Sequence, residues 1–77
     1  MQIIFTRHAL QRIRQRKVSE EQITETIELP DEILPGDGDE ETAVKSYDDR
    51  EVRVVYREIE PDTYLILTVI NPKIVNR

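Results

Sequence analysis

The residues best suited to chemistry lie in segment 7–17, which reads Arg-His-Ala-Leu-Gln-Arg-Ile-Arg-Gln-Arg-Lys. This segment contains the only histidine of the chain, five of its eleven cationic side chains and no acid. In an α-helix, residues four positions apart lie on the same face, so His8, Arg12 and Arg16 would form one ridge. A guanidinium binds phosphate through a planar fork of donors, and an imidazole exchanges a proton near neutral pH. The spacing therefore predicts a ridge that binds phosphate and moves a proton beside it.

This ridge is compatible with two functions, which the residues alone do not separate. Cleavage of RNA through its own 2′-hydroxyl needs a base, cations around the phosphate and an acid for the leaving oxygen. His8, Arg12 and Arg16 could supply much of this without a metal. The same ridge could dock an acidic protein or a nucleic acid without any reaction. A plain solvated helix face, with a histidine packed at the helix start, is the simpler interpretation of the same pattern.

A second candidate surface is the strand predicted over residues 51–59, whose side chains alternate between two faces. The more apolar set, which we expect beneath the helices, is Val52, Val54 and Tyr56. The opposite, open face is expected to carry an RNA-binding group made of Arg53, Arg57 and, from the neighbouring strand, Lys45 and Tyr47. Cations beside tyrosines suit a nucleic acid, because bases stack on rings and phosphates pair with charge. Ordinary cross-strand ion pairs are the alternative interpretation.

Charge is unevenly distributed along this chain of 77 residues, whose formal net charge is −5. Residues 1–18 carry five cations and no anion, whereas residues 19–42 carry ten acids and no base. We therefore expect one basic end and one acidic end. The absence of cysteine excludes a disulfide framework and a thiolate zinc site, and a lone histidine argues against a transition-metal site. We expect no cofactor and no metal.

Hydrophobic periodicity predicts one α+β domain over residues 1–77, with a short strand, two helices and then a three- to four-stranded antiparallel sheet. The predicted strands are Gln2–Phe5, Ala43–Tyr47, Glu51–Ile59 and Tyr64–Ile70, with a further extended segment at Asp31–Leu34. Thr6 and Ser19 are the expected N-caps of the two helices. The tail 72–77 is expected to be peripheral. No apolar run is long enough to cross a membrane, and no signal peptide is visible, so a cytoplasmic location is expected.

Four motifs resemble those of a family of small bacterial domains of unknown function. They are His8-Ala9-x-x-Arg12-x-x-x-Arg16, Val18-Ser19-Glu20-Glu21-Gln22-Ile23, Leu29-Pro30-Asp31-Glu32-Ile33 and Arg53-Val54-Val55-Tyr56. That family is distantly similar to the BrnT and RelE toxins of type II toxin–antitoxin systems. The resemblance covers about residues 5–70 and implies the same order of strand, two helices and antiparallel sheet.

For the toxin relatives, the resemblance implies metal-independent cleavage of messenger RNA, often on the ribosome, and neutralisation by an antitoxin that covers the basic surface. Transferred position by position, His8, Arg12 and Arg16 match the helical motif and Arg53 matches the arginine-bearing strand. We therefore predict a catalytic set of His8, Arg12 and Arg53, with Arg16, Lys45, Tyr47 and Arg57 binding RNA. The expected partners are RNA or the ribosome, an antitoxin protein, or a second copy of the chain that pairs basic helix with acidic helix.

Overall fold

The computed structural model describes residues 1–48 and 50–70, and it confirms the α+β class. The elements are β1 (Gln2–Phe5), α1 (Arg7–Arg16), α2 (Glu20–Glu28), β2 (Glu32–Pro35), β3 (Glu41–Ser46), β4 (Glu51–Glu60) and β5 (Thr63–Ile70). The tail 72–77, predicted to be peripheral, lies outside the described residues. Neither helix of the described part has the length and apolar character needed to span a bilayer.

The sheet has five strands in the order β1-β5-β4-β3-β2. Strands β2 to β5 form the predicted antiparallel meander, because the connections between them are short. The first strand adds a fifth member, since β1 pairs with β5 in parallel from Gln2 opposite Thr63 to Phe5 opposite Ile66. The local pattern of β1 predicts a strand, but its partner comes from the far end of the chain. A parallel neighbour requires a long connection, here the two helices and the meander.

Both helices begin and end with side-chain or backbone hydrogen bonds that replace the missing helical ones. The Thr6 hydroxyl accepts from the amide of Ala9 at 3.0 Å and donates to the carbonyl of Ile66 at 2.9 Å, so it starts α1 and fixes that start to β5. Ser19 and Gln22 form the predicted capping box of α2. The cap of α1 therefore also fixes the position of the helix start against β5.

The turn between the helices is a Schellman motif centred on Lys17, which adopts left-handed angles of φ 54° and ψ 45°. The amide of Lys17 donates to the carbonyl of Arg14 at 3.4 Å, and the amide of Val18 donates to the carbonyl of Ile13 at 3.2 Å. Val18 is buried, and Ile13 packs against the same core. This apolar contact turns the chain sharply into α2.

The core lies between the helices and one face of the sheet. Helix α1 packs over β5, and α2 packs over β4 and β3. The buried apolar side chains of the core are Ala9, Val18, Ile23, Ala43, Val52, Val54, Tyr56, Ile66 and Val69. The prediction that Val52, Val54 and Tyr56 face the helices is confirmed. No element of the described residues covers the opposite face of the sheet, which we call the open face.

Arg50, which directly precedes β4, connects the turn between the helices to the sheet. Its guanidinium donates to the carbonyls of Arg16 at 3.3 Å and Lys17 at 2.9 Å, and to Gln22 Oε1 at 2.7 Å. The first two acceptors are carbonyls at the negative end of α1, where a cation is favourable. One side chain thereby joins the end of α1, the start of α2 and the sheet.

Replacing Arg50 with lysine should destabilise the protein, because an ammonium on a flexible stem cannot reach all three acceptors in the geometry of the guanidinium fork. We expect the free energy of unfolding to fall by about 2 kcal/mol, which is the scale of charge-assisted hydrogen bonds. Urea denaturation of Arg50→Lys measures this. Arg14→Lys, an exposed change on α1, should stay within about 0.5 kcal/mol of the wild type. Equal stability of Arg50→Lys and wild type would contradict the assigned role of Arg50.

Candidate nucleic-acid interface

The predicted ridge lies along one flank of α1. Ala9 is fully buried and Ile13 packs against the core, so the face that they share is directed at the sheet. His8 is exposed, and Arg12 and Arg16 are half-buried along the flank of the helix. The Nε of Arg12 donates to Nε2 of His8 at 3.3 Å, and Nη1 of Arg12 donates to Gln15 Oε1 at 2.9 Å. The structure therefore brings the imidazole and the first guanidinium of the ridge together.

The direction of this hydrogen bond fixes the chemistry available to His8. An imidazole nitrogen that accepts a hydrogen bond carries no proton, so in this arrangement the proton lies on Nδ1. Nε2 is then the basic nitrogen, and it lies directly beside a guanidinium. A hydroxyl that displaced the Arg12 Nε–H could give its proton to His8. The displaced guanidinium would remain next to the phosphate that carries this hydroxyl.

The cations of α1 and of the adjoining turn have no acidic partner in the part of the chain that the structure describes. The ion pairs there are Met1 amino group–Asp62, Arg53–Glu51 and Arg57–Asp39. None of them includes the cationic residues Arg7, Arg12, Arg14, Arg16 and Lys17, which we call the α1 cations. The Nε of Arg16 is also buried without a hydrogen-bond partner among the described residues. Among the described residues, the charge of α1 is thus uncompensated.

The arginines of the sheet are in a different electrostatic state. Arg53 and Arg57 lie on the open face, as predicted, because they alternate with the buried residues of β4. Nε of Arg53 donates to Glu51 Oε1 at 2.5 Å. Nε of Arg57 lies 2.9 Å from Asp39 Oδ1, an ion-pair distance, although its N–H is not directed along a hydrogen bond. Local carboxylates therefore neutralise both arginines.

The expectation that Lys45 and Tyr47 share the open face with these arginines is wrong. Lys45 lies opposite Val52, whose side chain faces the helices, and its Nζ donates to the carbonyl of Leu29 at 3.0 Å. The Tyr47 ring packs against the core, and its hydroxyl donates to Glu25 Oε1 at 2.8 Å. The strand pairing placed both residues one position away from the expected face, and a shift of one residue exchanges the faces. Their role in RNA binding stays a prediction, on a surface separate from the arginines.

The aromatic side chains also lie on the helix side. Tyr56 is buried, its ring meets that of Tyr64 edge-on at 5.5 Å, and its hydroxyl donates to Glu41 Oε1 at 3.2 Å. Burial, reinforced by the Glu41 carboxylate, raises the pKa of Tyr56 to about 12. Burial also raises the pKa of Tyr47 and Tyr64. Since Phe5 packs against the same core, the open face of the described sheet offers no aromatic ring on which a base could stack.

The predicted catalytic set of His8, Arg12 and Arg53 is not brought together. His8 and Arg12 lie on α1, which covers one face of the sheet, and Arg53 points from the other face. Because β4 is the middle strand of five, Arg53 cannot reach around an edge to the helix. Segment 7–17 therefore supplies the candidate interface by itself. Arg50, which holds the end of that segment, had no recognisable signal in the sequence beyond its place after a turn.

Comparison with known proteins found one family match. A model of the family described as a domain of unknown function (DUF4258) matches residues 5–71. Comparison with curated proteins and comparison with solved structures gave no match. The predicted membership of a family of unknown function is therefore confirmed. The similarity to BrnT and RelE toxins stays a prediction. The matched range contains α1, α2 and β2 to β5 in full, and the chain belongs to the family DUF4258.

Proposed function

We propose that this domain binds RNA in the cytoplasm by placing the α1 cations against the phosphate backbone, as a toxin-related domain of a type II toxin–antitoxin system. The observation that supports this is the contrast between the two basic surfaces. The α1 cations have no acidic partner among the described residues, whereas Arg53 and Arg57 each have one. A phosphate can approach α1 without displacing a carboxylate. At the open face it would compete with Glu51 and Asp39.

The charge of the protein determines how strongly, and through which part of the molecule, it would bind RNA. Binding of a basic helix to a polyanion gains free energy from the release of counterions, so its affinity falls steeply with salt. The net charge of −5 weakens the attraction of the whole molecule for nucleic acid. Binding is then confined to the basic end and to short stretches of backbone. The antitoxin that the resemblance implies, which covers the basic surface, would contact the same cations.

A second candidate function is metal-independent cleavage of RNA, and the contact between His8 and Arg12 favours it. Nε2 of His8 would take the proton of a 2′-hydroxyl, and the 2′-oxygen would attack the adjacent phosphorus. Arg12 and Arg16 would stabilise the charge on the phosphorane oxygens. The bond to the 5′-oxygen then breaks, and the proton held by His8 is available to the leaving oxygen. The products are a 2′,3′-cyclic phosphate and a free 5′-hydroxyl.

Replacing Arg12 and Arg16 together with alanine should weaken the binding of a single-stranded, uridine-rich RNA. The slope of log K against log salt concentration is negative, and each lost phosphate contact should make it less steep by about 0.7. The slope of the double variant should therefore be less steep by about 1.4. Fluorescence anisotropy at several salt concentrations measures both quantities.

The matched control is the double variant Arg53→Ala with Arg57→Ala, which removes the same number of arginines from the open face. We expect this control to keep the affinity and the salt slope of the wild type. Loss of binding in the control, with the α1 variant unaffected, would place the interface on the open face and contradict the proposal.

If the domain cleaves RNA, messenger RNA on translating ribosomes incubated with the protein should yield fragments ending in a cyclic phosphate. His8→Ala should slow this cleavage by about 100-fold or more, the usual contribution of a general base. Gln11→Ala, an exposed change on the same helix, is the control. Equal cleavage by wild type and His8→Ala would remove His8 from the site, while RNA binding through α1 could still stand.

A further inference from the structure

One edge of the sheet is only half paired. Strand β1 covers β5 from Thr63 to Ile66, whereas β5 continues to Ile70. Beyond that point Thr6 turns the chain into α1, and its hydroxyl contacts the carbonyls of Ile66 and Leu67. Residues 67–70 then have β4 on one side and no strand on the other within the described residues. Apart from the Leu67 carbonyl, the backbone groups of residues 67–70 that face away from β4 have no pairing strand among the described residues, and such groups can pair with another chain.

The opposite edge of the sheet is protected in the usual ways. Strand β2 is four residues long, carries the charged Glu32 and ends in Pro35, which has no amide hydrogen to donate. Nothing comparable occurs in residues 67–70, which read Leu-Thr-Val-Ile and contain no charge and no proline. The contrast indicates that the β5 edge is open to pairing and the β2 edge is not.

Exposed apolar side chains lie on the elements that border this edge. Ile70 is 42% exposed at the end of β5, Ile4 is 38% exposed on β1, and Leu10 is 45% exposed on α1. Helix α1 packs over β5, the strand to which residues 67–70 belong, and the α1 cations have no acidic partner among the described residues. A strand added here would find backbone partners, apolar contacts and positive charge together.

We infer that residues 67–70 of β5 accept an extended acidic segment of a partner protein, which adds to the sheet as a further strand next to β1. Backbone hydrogen bonds would supply the pairing, as in other cases of strand addition to a sheet edge. Acidic side chains of the segment would pair with the α1 cations, and its apolar side chains would cover Ile70 and Ile4. This inference does not depend on RNA binding.

Charge distinguishes this occupant from the two nearest alternatives. Pairing the β5 edges of two copies would bring two α1 helices together, each with its uncompensated cations, and like charges repel. The chain's own segment 71–77 carries Lys73 and Arg77 but no acid, so it has the same sign as α1.

The test uses the full chain and a synthetic peptide of alternating glutamate and valine. A second peptide with lysine in place of glutamate tests the charge, and a third with a central proline tests the backbone pairing. We expect the acidic peptide to bind, and amide hydrogen exchange at residues 67–70 to slow when it does. The lysine and proline peptides should bind at least about tenfold more weakly. Ile70→Glu should weaken the acidic peptide to a similar degree, because it places a like charge on the exposed edge.

Each other outcome overturns the inference. Equal binding of the acidic and proline peptides, without slower exchange at residues 67–70, would mean simple charge attraction to α1. Slow exchange there that appears only as protein concentration rises would identify a second copy as the occupant. Slow exchange at every concentration without peptide would identify segment 71–77. The RNA titrations of the Arg12 and Arg16 variants give an independent readout, so either proposal can fail alone.

Discussion

The arrangement of this small domain depends on the guanidinium of Arg50. A helix end presents unpaired carbonyls, and here one side chain from the sheet binds two of them and also reaches the capping box of the next helix. Together with the Thr6 contact at the other end of α1, this fixes the helix across β5 at both termini. Rotation about the helix axis is then limited by the burial of Ala9 and Ile13. The position of the ridge on the flank of α1 follows from these contacts.

Two kinds of cation result from this geometry. Arg53 and Arg57, on the central strand β4, each form an ion pair with a nearby carboxylate, which neutralises their charge. Cations on α1 lie in a part of the sequence that contains no acid, and the fold brings no acidic partner to them within the described residues. The acidic segment of the chain forms α2, β2 and the loop before β3 instead. Separation of charge along the sequence thereby becomes a separation between α1 and the elements from α2 to the start of β3.

Much of this could be predicted from local rules. Capping residues gave both helix starts, alternation gave the buried face of β4, and spacing of four gave the ridge of His8, Arg12 and Arg16. What failed depended on relations between distant segments. The faces of Lys45 and Tyr47 follow from the pairing of β3 with β4, which a single strand pattern leaves open. The partner of β1 and the role of Arg50 likewise arise from contacts over more than 30 residues. A catalytic role for Arg53 beside His8 assumed one shared surface, and the sheet separates them.

The central claim is that an anion meets the cations of α1 and not those of the sheet. Side-chain Nε–Hε signals of individual arginines, followed by NMR while single-stranded RNA is added, test this directly. The account predicts that the signals of Arg12 and Arg16 move as RNA binds, while those of Arg53 and Arg57 stay in place. Movement confined to Arg53 and Arg57, or no movement at any arginine up to millimolar RNA, would contradict it.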